Sequence, residues 1–145
     1  MTVQPININD LRDYVEAALD GDEDILRFYD KKEKVETISE ACSSVVNKIR
    51  IAYTESDIRG VKINGSKVGY FVFDDELLIS FGLNINYRNK VILTDFWEKI
   101  KEELGDTFNC LLYSHNERAI GFLKKCGMNI IFDTVTVLRF ENNLN

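Results

Sequence analysis

The chain has one histidine, His115, in the run Tyr113-Ser114-His115-Asn116. An imidazole with an ordinary pKa of ~6.5 can take or give a proton near neutrality, so at a strand end facing a cleft it would serve as general base or acid. Tyr113 and Ser114 beside it could donate a hydrogen bond. His115 and Tyr113 are therefore the candidate catalytic residues. Asn116 could either cap the helix that begins near Glu117 or reach into a ligand site. A second group lies in NINYRNKVILTDFW, residues 84–97, which reads as a strand running into a helix through a short basic turn. Arg88 and Lys90 there could contact phosphates, Arg with a planar fork of donors and Lys as a point charge. Solvated turn residues beside an acidic surface explain them equally well.

Two further groups carry less chemistry. Asp20, Asp22, Glu23 and Asp24 stand close together, but the later Gly and bidentate Glu of a calcium loop are missing at the required offsets. A solvated turn is the expectation. Cys42, Cys110 and Cys126 lack C-x-x-C spacing and suggest buried, reduced thiols, with neither a disulfide framework nor a metal site.

The elements that would position these residues follow from periodicity. NINDLRDYVEAAL reads as a helix capped by Asn9 or Asp10, with Leu11, Tyr14, Val15 and Ala18 on one face. From Thr37 to Tyr53, apolar residues recur at helical spacing, and Thr37 with Glu40 forms a capping-box pattern. Three β-type runs follow, IRGVKING, KVGYFVFDD and ELLISFGLNI, joined by Asn64-Gly65 and Asp74-Asp75. Asn-Gly is a strong hairpin signal because a type I′ turn needs positive φ at both central residues. The period then changes. Ile92, Phe96, Ile100 and Leu104 form a helical stripe that Gly105 ends. TFNCLLY is a strand, NERAIGFLKKC a helix closed by Gly127, and NIIF and TVTVLRF are final strands meeting at Asp133. The order predicts an α+β or mixed α/β fold, a single sheet covered by helices.

At 145 residues the chain is long enough for one domain with a real core, since a domain of this size buries ~68–70% of its unfolded surface. A net charge of −6 and a pI near 4.9 argue against a nucleic-acid partner. The start, MTVQPININD, lacks the n- and h-regions of a signal peptide, and no apolar run approaches the ~18 residues of a membrane span. The expectation is a soluble, cytoplasmic protein.

The element order and the stretch NERAIGFLKKCGM resemble the GNAT N-acetyltransferase superfamily over nearly the whole chain. Asn116, Ala119, Ile120, Phe122 and Gly127 match N-x-x-A-I-x-F-Y-x-x-x-G-F of many members. The resemblance implies a mixed, mostly antiparallel sheet with helices on both faces. It also implies acetyl-CoA held between the fourth and fifth strands, with the amides of Leu83 to Ile85 aligning the pantetheine and those of residues 88–93 cradling the pyrophosphate. Arg88, Asn89, Lys90, Val91, Leu93 and Asn116 complete the expected cofactor set.

Departures from the pattern are equally specific. In the R/Q-x-x-G-x-G/A loop of the family, Arg88 takes the first position, while Val91 and Leu93 replace glycines that let phosphate approach the backbone. Phe122-Leu123 replaces Phe-Tyr, so the family's proton donor to the leaving thiolate is a leucine. Between Glu76, in a turn, and Arg88 no carboxylate stands where a general base is often found. Asn116, Ile120, Phe122, Leu123, Lys124 and Gly127 are similar to N-x-x-x-I-x-F-L-K-x-x-G of small GNAT-like proteins from tailed phages. Two readings follow from the resemblance. One is an acyl-CoA-dependent N-acyltransferase with weak or lost acetyl-CoA binding, acting on a small-molecule or peptide amine. The other is a non-catalytic scaffold, self-associating as a homodimer or serving as a phage structural protein within a virion.

Overall fold

Residues 1–29, 33–112, 116–132 and 136–141 are described by the computed structural model. Their elements run β1 (Thr2–Pro5), α1 (Ile8–Leu19), α2 (Ile38–Ala52), β2 (Asp57–Ile63), β3 (Ser66–Asp74), β4 (Leu77–Leu83), α3 (Lys90–Leu104), β5 (Thr107–Leu112), α4 (Glu117–Lys125), β6 (Asn129–Phe132) and β7 (Thr136–Glu141). From α1 onward this is the order that periodicity and turn signals predict. Two 3-10 turns, Glu23–Phe28 and Ile85–Tyr87, stand where periodicity gives no signal.

The local signals act as their chemistry requires. Asn64 and Gly65 have φ of 51° and 82° and close β2 onto β3, with Ile63 paired to Ser66. The Glu40 amide donates to Thr37 Oγ1 at 3.1 Å, and the Thr37 hydroxyl donates to Glu40 Oε1 at 3.0 Å, fixing the start of α2. Gly105 ends α3 with φ 88°. The cap of α1 is a correction, because Asn7, rather than Asn9 or Asp10, holds it. Asn7 Oδ1 accepts from the amides of both Asn9 and Asp10, at 3.0 and 3.2 Å. Those two residues own the orphan donors and so lie inside the first turn.

The strands form one sheet in the order β1-β2-β3-β4-β5-β7-β6. Every neighbouring pair is antiparallel except β4 and β5, which run parallel. Alternation along β3 feeds two cores. Phe71 and Phe73 face α3 and α4, packing with Phe96, Trp97, Ile100 and Leu123. Tyr70 and Val72 face α1 and α2, packing with Leu11, Val15, Ala41 and Ile49. Helices thus cover both faces, as expected. Among the described residues no helix is long and apolar enough to cross a membrane.

Candidate functional site

Among the described residues β4 and β5 pair only through Leu77–Asn109 and Leu78–Cys110. Beyond Leu78 the two strands diverge, and a bulge in β4 accompanies the divergence. Phe73 pairs with Leu78 and Val72 with Ser80, which leaves Ile79 as an extra residue. A bulge bends its strand and increases the local twist. The opening between the strands is lined by Phe81, Gly82 and Leu83 of β4, Leu93 and Phe96 of α3, and Asn116, Arg118, Ala119 and Phe122 around the start of α4. The cleft has a volume of about 190 Å3. Phe122 forms its floor. It stands edge-on to Trp97 at 6.2 Å and tilted against Phe81 at 6.1 Å.

One wall is closed by a buried charge. Asp22 has no accessible surface, although its acidic neighbours Asp20, Glu23 and Asp24 are exposed. Arg118 grips it with Nη1 to Oδ1 at 2.9 Å and Nη2 to Oδ2 at 2.7 Å, while Arg88 Nη2 donates to Oδ2 at 2.8 Å. Arg88 Nε donates to the Leu83 carbonyl at 2.8 Å. Burial alone would raise the Asp22 pKa, but the hydrogen bonds and charges of Arg118 and Arg88 outweigh it and hold the carboxyl below its ordinary range. The solvated turn expected here is thus corrected at Asp22. The loop after α1 turns one carboxylate inward because two guanidiniums meet it there. Asn84, at the end of β4, ties the same loop from the other side. Its Nδ2 donates to the carbonyls of Ala17 at 2.8 Å and Asp20 at 3.3 Å.

The basic turn before α3 folds as an ordinary helix start. Asn89 is the cap, with Oδ1 accepting from the Ile92 amide at 3.0 Å, and the Leu93 amide bonds the Asn89 carbonyl. No residue from Asn84 to Leu93 has a positive φ, so the backbone here makes no conformational demand for glycine. Lys90 is exposed, and Val91 is 78% exposed. Leu93 lines the cleft and packs against the core. Ile85 is 43% exposed, Leu83 is buried and Asn84 N donates to the Val68 carbonyl at 2.8 Å. Asn116 caps α4 through the Ala119 amide at 3.3 Å while also lining the cleft. His115, Tyr113 and Ser114 lie outside the described residues.

The structure therefore brings Leu83, Arg88, Leu93 and Asn116 to one cleft and leaves Lys90 and Val91 exposed at the α3 start. Arg118 was not among the sequence candidates, Asp22 was read only as part of a solvated acidic turn, and Asn84 entered only through its main-chain amide. Arg118 stood within the motif NERAIGF, but nothing local marked its partner. Leu123, at the position of the expected tyrosine, has no accessible surface and belongs to the core. The thiols are quiet. Burial pushes Cys110 up to about 12 and Cys126 up to about 11, so both remain protonated near neutral pH.

A second pocket, of about 140 Å3, lies on the opposite face of β4, beneath α2 and the 3-10 turn Glu23–Phe28. The two cavities share Leu19, Ile25, Phe81 and Asn116 as lining residues, so they meet at β4.

No family model matches the sequence, and no curated protein does. Solved structures match along nearly the whole chain. An acetyltransferase from Thermus thermophilus aligns with a TM-score of 0.67 at 12% identity, covering 96% of each chain. A PaiA N-acetyltransferase from Thermoplasma acidophilum, in complex with coenzyme A, aligns at 0.59 and 14% identity, covering 97% of this chain and 99% of that one. A ribosomal-protein-alanine N-acetyltransferase from Brucella melitensis aligns at 0.52 and 14% identity, covering 96% and 97%. The chain has the GNAT acetyltransferase fold.

Proposed function

We propose that the protein is an acyl-CoA-dependent N-acyltransferase-like protein whose pyrophosphate cradle is weakened, so that acetyl transfer to an amine is slow or absent. The observation that carries this reading is the divergence of β4 from β5 after Leu78, which opens a cleft floored by Phe122 between two helix starts. Its largely apolar lining suits a pantetheine arm. The phosphate end fits less well. Of the charged residues expected there, Arg88 is committed to Asp22 and to the Leu83 carbonyl. Lys90 and the first-turn amides of Lys90 and Val91 remain, a helix start that favours anions. A thioester bound in the cleft would supply an activated acyl carbonyl for direct transfer to an amine. The chain would contribute mainly orientation, because β4 carries no carboxylate and Leu123 cannot donate a proton. These two absences favour the second reading, a non-catalytic scaffold on the same fold.

A thermal-shift titration with acetyl-CoA tests the proposal. A ligand at 100 times its dissociation constant stabilises the native state by ~2.7 kcal/mol, a shift of several degrees at this size. Millimolar acetyl-CoA is expected to give almost none. Val91→Gly should increase the shift by clearing the approach to the α3 start, at a cost to that helix of about 0.5 kcal/mol. Val91 is exposed, so the variant loses no core packing. A saturable shift at micromolar acetyl-CoA in the unmodified protein would show that the cradle is intact. A folded Val91→Gly protein without gain would show that the valine does not obstruct it.

A further inference from the structure

We infer that the pocket beneath α2 takes a benzene-sized apolar body bearing one hydrogen-bond acceptor, which the Ser80 hydroxyl receives, and that an amine of this class is the acyl acceptor. The inference rests on the transferase reading only in naming the ligand an acceptor. It begins with the bulge. In a regular strand Ile79 and Ser80 would face opposite sides of the sheet. The extra residue turns both toward the α1–α2 face, where Ile79 packs in the core and Ser80 lines the pocket.

The hydroxyl pair behind Ser80 then fixes where its proton goes. The Tyr70 hydroxyl lies 2.8 Å from Ser80 Oγ, and Tyr70 is only 3% exposed. Burial pushes its pKa up to about 12, so the phenol keeps its single proton. Buried donors are almost always satisfied, and Ser80 is the partner within reach of Tyr70 among the described residues. Tyr70 therefore donates to Ser80. The Ser80 proton is left to donate elsewhere, and the side chain borders the cavity.

Size and charge narrow the ligand further. At about 140 Å3 the pocket is close to the ~150 Å3 that accommodates benzene in an apolar cavity. Leu19, Ile25, Phe28 and Val45 supply an apolar wall, while Lys48 also lines the pocket and no acidic side chain does so among the described residues. A polyamine or a lysine-rich peptide would bring cations with no carboxylate to meet them. A compact aryl amine, neutral near pH 7, with a carbonyl, ether or hydroxyl oxygen matches the lining, and the shared boundary at Phe81 and Asn116 places it beside the cleft.

Saturation-transfer NMR with benzamide, in the absence of any CoA, tests the inference. Benzamide should bind saturably at millimolar concentration. Ser80→Ala should weaken it by roughly 3- to 10-fold, the effect of one lost hydrogen bond. Because Ser80→Ala strands the Tyr70 proton, the double variant Tyr70→Phe/Ser80→Ala, which removes both hydroxyls, is measured alongside and should lose affinity equally. Spermidine should not displace benzamide. Absence of saturable binding, affinity unchanged in both variants, or displacement by spermidine would overturn the inference. Benzamide binding together with no acetyl-CoA shift in either the unmodified protein or a folded Val91→Gly variant would overturn the transferase reading alone.

Discussion

Asp22→Ala is expected to destabilise the protein by about 3 kcal/mol, the lower end of the range for breaking a buried pair. The lower end applies because Arg88 and Arg118 keep 23% and 32% of their side-chain surface accessible and can recover some hydration. The melting temperature should fall by roughly 10 °C. Asp22→Asn keeps an acceptor for the guanidiniums and should lose less. The pH dependence carries a sign. The Asp22 carboxyl titrates lower when folded than its unfolded value of ~3.9, so its contribution is complete above that value and fades as pH falls through the folded pKa. Urea unfolding of wild type and Asp22→Asn should therefore show a constant gap between about pH 5 and 8 and a narrowing gap in stronger acid. A gap that persists unchanged in acid, or an alanine variant as stable as wild type, would deny Asp22 this role.

Gly69→Ala should cost up to about 3 kcal/mol, the upper end for overpacking. A Cβ there would lie 2.5 Å from the Gly82 carbonyl oxygen and 3.3 Å from Leu83 Cα. Both are backbone atoms that no rotamer change can remove, so β3 and β4 would have to separate at the cleft wall. Gly121→Ala is the counterpart. Gly121 lies inside α4, and nothing stands within 4 Å of an added Cβ. That change should stabilise by roughly 0.5–1 kcal/mol through helix propensity. Denaturant midpoints for the two variants should move in opposite directions, and movement in the same direction would contradict the packing described.

The sequence revealed features that are settled within a few residues. The Thr37–Glu40 box, the Asn64-Gly65 turn and the stripe Phe96, Ile100 and Leu104 each involve neighbours along the chain, and each appears where expected. The site depends on partners far apart. Arg88 and Arg118 stand 66 and 96 positions from Asp22, and four clustered carboxylates gave no sign that one faced inward. The Ile79 bulge was hidden for a different reason. ELLIS is apolar with little alternation, so there was no period for an extra residue to break. At the start of α1, three Asn or Asp residues in ININD satisfy the cap chemistry, and periodicity does not choose among them.

The parallel join of β4 to β5 also bears on how the chain folds. β2, β3 and β4 are linked by two-residue turns, so their pairing closes short loops and can form early. β1 must instead find β2 across a long separation, with Thr2 opposite Lys62 and both α1 and α2 between them. β5 reaches β4 only after α3 has crossed the sheet, and then gains just two residue pairs among the described residues. The central meander is thus the natural nucleus. Two distant closures, one at each side of it, set the pace at which the rest of the sheet assembles.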